Sequence, residues 1–288
     1  MIEINKIEPQ GYCNGVKRAL NIVRTALENP QTKRPIYLLG QIIHNKYVVD
    51  KLVDAGVIVI DDKSKTRLEL LDLINEGTVI LSAHGVAPEV YKKAKEKGLN
   101  IIDTTCGNVL IVHKNIKKYL DSNYTCLYIG TPNHPECEGV LGISNKIKLI
   151  TNINDLDNLN IKGNIYVTNQ TTLSKFDIAD IYKKISILYP NAILDDKICN
   201  ATTIRQNAMA NQNDADLCIV VGDKKSSNTK KLVKVSQDIA KIPTILCESL
   251  DDLDKSLLKK IKTVNISSGA STPDTLVNEI INYIKKYN

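Results

Sequence analysis

Short apolar runs alternate along the chain with longer stretches in which apolar residues recur every third or fourth position. The runs, bounded by Gly, Pro and Asn, predict buried strands, and the periodic stretches predict amphipathic helices. Strands are expected at 2–7, 35–40, 57–60, 77–82 and 100–103, with helices at 16–27, around 48–53, at 66–74 and from Pro88. The same order then returns. A helix over about 109–120 is followed by strands at 124–130, 146–150, 163–168 and 192–194, with a helix from about Lys175. It returns again as a helix after Cys199, strands at 216–222, 244–246 and 263–267, a Lys-bearing helix around 229–233 and a closing helix from Pro273. Strands alternating with helices predict an α/β fold built on mostly parallel sheets. Three similar units are expected: 14–104, 105–196 and 197–288, the last completed by 1–13.

Three cysteines mark the repeat. Ninety-three residues separate Cys13 from Cys106, and another 93 separate Cys106 from Cys199. Each stands where a strand gives way to a helix. Gly40, Gly130 and Gly222 each end the next central strand, and four residues beyond them stand His44, His134 and Ser226. A third loop in each unit holds His84, Thr171 and Ser271, at 71, 65 and 72 residues past its cysteine. Ligands of open parallel sheets bind beyond the carboxyl ends of the strands, where all nine positions fall. Three such units facing inward predict a pseudo-threefold trefoil around a central cavity.

Composition narrows the chemistry. With 43% hydrophobic and 24% charged residues the chain is ordinary for a globular protein, and 288 residues suffice for several domains. No run is apolar enough to cross a bilayer and the start lacks a signal-peptide pattern, so a cytoplasmic protein is expected, or a plastid-type one after removal of a targeting segment. Seven cysteines in a reducing compartment read as buried thiols, metal ligands or reactive groups, not disulfides. The net charge of +6 mildly favours anionic ligands, but no basic-aromatic stretch suggests nucleic acid.

Cys126 and Cys218 lie inside apolar strands and read as small buried hydrophobes, as do Cys137 and Cys247. Cys13, Cys106 and Cys199 lie in polar loops at helix starts, where the helix dipole favours thiolate. Three thiolates suit a soft metal centre. Zinc is possible, but no local Cys-x-x-Cys pair is present. Three cysteines far apart in sequence fit a cubane iron–sulfur cluster with one iron open to substrate. His44, His84 and His134 can donate to an anion, whereas His113 on a Lys-rich helix reads as structural. Ser226, Ser227, Asn228 and Ser271 precede or open helices, where hydroxyls and backbone N–H groups can cradle a diphosphate. No nucleotide-binding glycine loop occurs. Glu136, two residues after His134, is the preferred proton donor over Glu138, a choice that the motif alone leaves open.

Taken together, these segments resemble the 4-hydroxy-3-methylbut-2-enyl diphosphate reductase family of the non-mevalonate isoprenoid pathway. The resemblance is carried by Gly11-Tyr12-Cys13-Asn14-Gly15-Val16, Ile43-His44-Asn45, Ala83-His84-Gly85-Val86, Asp103-Thr104-Thr105-Cys106, His134-Pro135-Glu136, Gln170-Thr171-Thr172, Ile198-Cys199-Asn200, Ser226-Ser227-Asn228 and Gly269-Ala270-Ser271. It implies a 4Fe–4S cluster on Cys13, Cys106 and Cys199. It implies diphosphate binding by His44, His84, His134, Ser226, Ser227, Asn228 and Ser271, with Thr171 and Glu136 at the hydroxyl end and Glu136 in the proton relay. The implied reaction is a two-electron, two-proton reductive dehydroxylation giving isopentenyl and dimethylallyl diphosphates, with electrons from a ferredoxin or flavodoxin. Two positions depart from the family's pattern: Gly107 replaces a proline and Cys137 an aliphatic residue. The rival readings are a zinc hydrolase of a phosphorylated substrate and a non-catalytic iron–sulfur redox sensor.

Overall fold

The computed structural model describes residues 2–62, 64–157 and 159–287. They form three four-stranded, wholly parallel sheets. By contact the chain divides into two compact units. One comprises Met1–Val16, His44–Val48 and Asn200–Asn288, the other Lys17–Ile43 and Val49–Cys199.

The first unit holds one sheet, ordered β1 (Glu3–Lys6), β12 (Thr263–Ser268), β10 (Leu217–Val221), β11 (Thr244–Cys247). Strand residues alternate between its faces. Leu217, Ile219 and Val221 pack with Val277, Ile280 and Ile284 of α10 (Asp274–Tyr287). Cys218 and Val220 face Met209 of α8 (Asn200–Ala210) and Leu232 of α9 (Ser227–Val235). Both faces are covered by helices, which is why the strands read as unbroken apolar runs.

The second unit holds two sheets. One is ordered β3 (Val57–Ile60), β2 (Ile36–Leu39), β4 (Thr78–Leu81), β5 (Asn100–Asp103). The other is ordered β7 (Ile147–Ile150), β6 (Thr125–Ile129), β8 (Ile165–Asn169), β9 (Ile193–Leu194). Leu127 and Val167 pack on α7 (Lys175–Leu188), whereas Cys126, Tyr128 and Tyr166 face α5 (Gly107–Asp121) and α6 (Pro135–Leu141). The remaining helices are α1 (Asn14–Glu28), α2 (Lys46–Asp54), α3 (Arg67–Leu70) and α4 (Pro88–Glu96). None of the helices is long and apolar enough to cross a membrane, among the described residues.

All three sheets repeat one pattern. The strand leading to a cysteine lies at one edge, beside the strand leading to the third loop, and the glycine-ended strand comes next. The amides of Gly40, Gly130 and Gly222 donate to Ile60, Ile150 and Cys247 carbonyls at 2.8, 3.0 and 2.8 Å. The expected elements are present, with two differences. The 66–74 helix is a four-residue α3, closed into a capping box by Thr66 and Glu69, followed by a 3₁₀ turn at Leu71–Leu73. The stretch after His134 is a helix, α6, where a loop was expected, because Pro135 suits a first helical turn and His134 caps it.

Helix α6 lies close against the 85–87 loop because Gly139 within it and Gly142 at its C-cap leave room. A Cβ on Gly139 would meet the Gly85 carbonyl at 3.3 Å, and one on Gly142 would meet the Ala87 Cβ at 2.3 Å. Gly142→Val is therefore expected to destabilise the protein by about 1–3 kcal/mol, seen as a lower urea midpoint. The Gly107→Ala control, whose added methyl meets nothing within 4 Å, should leave the midpoint unchanged or slightly raised.

Candidate functional site

Each of the three cysteines immediately precedes a helix: Cys13 before α1, Cys106 before α5 and Cys199 before α8. None of these helices carries an acid in its first turn. All three cysteines are partly exposed, and none of the seven is in a disulfide. The other four are buried, and burial pushes the thiols of Cys126, Cys218 and Cys247 up to about 11 and that of Cys137 up to about 12. The background reading of those four matches their surroundings.

The cysteine loops are fixed by an equivalent hydrogen bond. Cys13 N–H donates to Ala270 O at 3.0 Å, Cys106 N–H to Ala83 O at 3.0 Å, and Cys199 N–H to Thr171 O at 2.9 Å. Each bond joins a cysteine to the third loop of its sheet. It also corrects the alignment of the repeats. Ala83, Thr171 and Ala270 are equivalent, so Thr171 stands one residue earlier than His84 and Ser271, and Thr172 is their counterpart.

In the first unit, the turn before Cys13 is held by Gly11 N–H to Ser268 Oγ (2.9 Å) and by Arg205 Nη2 to Gly11 O (2.8 Å). Gly11 needs its positive φ of 71°, and a Cβ there would lie 1.9 Å from the Asp274 carboxylate. Ser271 Oγ donates to His44 O at 3.1 Å. Asn45 Oδ1 accepts from Val48 N and caps α2, which leaves His44 one residue before the cap. Asp223 accepts from Lys46 N–H at 3.1 Å and Lys225 N–H at 2.6 Å. Ser226 caps α9 by accepting from Thr229 N–H at 3.3 Å. Asn228 is only 6% exposed, yet both polar atoms of its side chain lack hydrogen-bond partners, as does Thr229 Oγ1. Buried amides without partners are costly, and these atoms can take the donors and acceptors of a ligand or of bound water.

In the second unit, His134 and His84 meet edge to face, with ring centroids 5.6 Å apart. His134 Nδ1 accepts from Glu136 N–H at 3.1 Å, so the hydrogen of the neutral ring is assigned to Nε2, which makes that nitrogen a donor. His84 Nδ1 stands 3.4 Å from Ser82 Oγ. Glu136 is 1% exposed. Its Oε1 accepts from Thr171 N–H (2.8 Å) and Tyr128 OH (3.3 Å), and its Oε2 from Thr171 Oγ1 (2.9 Å). These donors favour the carboxylate, but burial outweighs them and raises Glu136 to about 7. A carboxyl poised there can give up a proton near neutrality. Glu138 is engaged elsewhere, in an ion pair with Arg67 at 3.0 Å. His113 is partly buried on α5 and its imidazole is lowered by desolvation, in keeping with a structural role.

Two buried amides and a phenol were not singled out from the sequence. Gln170 accepts from Thr131 N–H (2.9 Å) and donates to Thr172 Oγ1 (2.9 Å), so it ties the His134 loop to the Thr171 loop. Asn169 accepts from Lys197 N–H (2.9 Å) and Tyr182 OH (2.8 Å), anchoring the approach to Cys199. Their place at the end of β8 was a usable signal. Tyr128, inside an apolar strand, gave none.

The LytB protein family matches residues 4–285. A 4-hydroxy-3-methylbut-2-enyl diphosphate reductase of Geobacillus kaustophilus is 43% identical over 99% of this chain and 91% of its own length. One from Bacillus cereus is 44% identical over 100% and 91%. The solved E-1-hydroxy-2-methyl-but-2-enyl-4-diphosphate reductase from Plasmodium falciparum superposes with a TM-score of 0.90 at 35% identity, over 98% of this chain and 87% of that one. A second solved structure, described as the terminal enzyme of the non-mevalonate pathway, gives a TM-score of 0.69 at 30% identity, over 99% and 100%. The chain belongs to the LytB family.

Proposed function

We propose that the protein reduces 4-hydroxy-3-methylbut-2-enyl diphosphate to isopentenyl and dimethylallyl diphosphates. Two electrons and two protons replace a carbon–oxygen bond by a carbon–hydrogen bond and release the hydroxyl as water. The full-length likeness to reductases of this name supports the reading, and it gives no support to the zinc-hydrolase or redox-sensor alternatives. The observation that carries the chemistry is the buried Glu136 carboxyl, hydrogen-bonded at both oxygens to Thr171.

In the first unit, His44, Ser226, Ser227, Asn228 and Ser271 supply donors for phosphate oxygens. The unpartnered Asn228 amide is the feature that fits such a ligand. In the second unit, His84 and His134 supply ring N–H donors, and Glu136 delivers a proton toward the hydroxyl end through Thr171. Water exclusion around Glu136 keeps that proton near neutral pH.

The donor set fits a 4Fe–4S cluster. Cys13, Cys106 and Cys199 offer three sulfur ligands at matching pre-helical positions and are the partly exposed cysteines of the seven. Among the described residues, no group of three or more His, Cys, Asp or Glu side chains is gathered as a ready metal site, so the assignment rests on donor chemistry and repeat position. When bound, the cluster supplies the electrons, and a ferredoxin or flavodoxin is the expected external source. The chain reads as three repeats at 14–104, 105–196 and 197–288, with 1–13 completing the third.

Three outcomes follow. Anaerobically reconstituted Cys199→Ser should lose most of its iron, whereas Cys126→Ser should keep it; equal iron in both would contradict the ligand assignment. Glu136→Gln should keep iron and lose turnover by about a hundredfold or more, because it removes the titratable proton. In the unaltered protein kcat should fall as pH rises through about 7, since the acid form is the donor. Ionising Glu136 also costs the native state: its folded value of about 7 lies above the ordinary glutamate value of 4.5, so this contribution to stability is present below about 4.5 and is lost as pH rises through about 7. A flat kcat profile across that range would contradict the role.

A further inference from the structure

Tyr128 is fully buried on β6, facing α5 and α6. It fills space that Gly130 leaves open: a Cβ at Gly130 would meet the Tyr128 ring at 2.9 Å and the Cys137 sulfur at 2.5 Å. From there its hydroxyl donates to Glu136 Oε1 at 3.3 Å. Thr171 N–H donates to the same oxygen at 2.8 Å, whereas Oε2 receives only the Thr171 hydroxyl, at 2.9 Å.

This asymmetry has a chemical consequence. A backbone N–H cannot become an acceptor, and a deeply buried phenol held above its usual range stays protonated. Oε1 therefore faces one donor that cannot turn, the Thr171 N–H, and a phenol O–H whose hydrogen-bond partner among the described residues is this oxygen, so that turning it would leave a fully buried O–H without an acceptor. The Thr171 hydroxyl can turn from donor to acceptor, so Oε2 can carry a proton and hand it to Thr171 Oγ1.

We propose that Tyr128 is a positioning residue that confines the Glu136 proton to Oε2, facing Thr171. The inference rests on the reading of Glu136 as the proton donor and adds how that proton is aimed. The titratable groups around the pair are His134 at the N-cap of α6, Cys137 on α6, Tyr182 on α7, and His84 against His134. Burial pushes Cys137 up to about 12 and Tyr182 higher still, so neither ionises in the working range.

The test is the isosteric Tyr128→Phe, which preserves the packing and removes only the hydroxyl. The protonated Glu136 carboxyl is followed by its infrared C=O band, identified by its absence in Glu136→Gln. In Tyr128→Phe the midpoint of that band should move up by about half a pH unit or more, because a donor to the carboxylate is gone. The alkaline limb of kcat should move with it, with KM and Tm unchanged. 3-Fluorotyrosine placed at position 128, a stronger donor of nearly the same shape, should move the midpoint down, and this keeps the test available should the Phe variant not fold. A midpoint that stays put or moves the other way overturns the proposal. A midpoint that moves as expected while turnover is unaffected at every pH upholds the hold of Tyr128 and overturns the donor role of Glu136 instead.

Discussion

The amide of each pre-helical cysteine is spent on a carbonyl of the neighbouring strand's loop: Cys13 on Ala270, Cys106 on Ala83, Cys199 on Thr171. Most of the site's local order follows from that bond. It fixes where the sulfur leaves the chain, and it registers the cysteine against the loop that carries His84, Thr171 or Ser271. Parallel sheets make it possible, because neighbouring strands end on the same side. Strand ends present backbone groups that the ladder no longer uses, and each of these bonds draws on them.

At Glu136, solvation and hydrogen bonding oppose each other. Three donors pull the carboxyl toward its ionised form, yet burial wins and holds it near neutrality. A cation in contact would tip the balance toward a permanent carboxylate. Arg67 pairs instead with Glu138, two residues further along α6. Two carboxylates of one short helix thus serve different ends: the buried one can exchange a proton, and the half-buried one ties α6 to α3.

Much of this was legible in the chain. Strand positions came from apolar runs because both sheet faces are covered, and the repeat came from cysteine spacing because the three sheets share one strand pattern, with a cysteine just past the edge strand of each. The loop residues were legible as a set because they recur at strand ends. Other features were hidden for physical reasons. Helix α6 is too short, and too rich in Glu and Gly, to show a period. The one-residue offset of Thr171 is a matter of backbone pairing, which spacing does not encode. Tyr128 and Gln170 act through side chains folded back into the protein, where composition alone reads core or cap. Glu136 was preferred over Glu138 from sequence, but only burial and the Arg67 pair explain the difference.

The central claim is that this chain performs the reductive dehydroxylation. It is tested most directly by giving anaerobically reconstituted protein 4-hydroxy-3-methylbut-2-enyl diphosphate and a strong reductant, with products separated by chromatography and identified by mass against authentic standards. The account predicts isopentenyl and dimethylallyl diphosphates, with the diphosphate intact and the oxygen lost as water. Release of inorganic phosphate without reduction, or substrate left unconsumed by brown, iron-loaded protein, would contradict it.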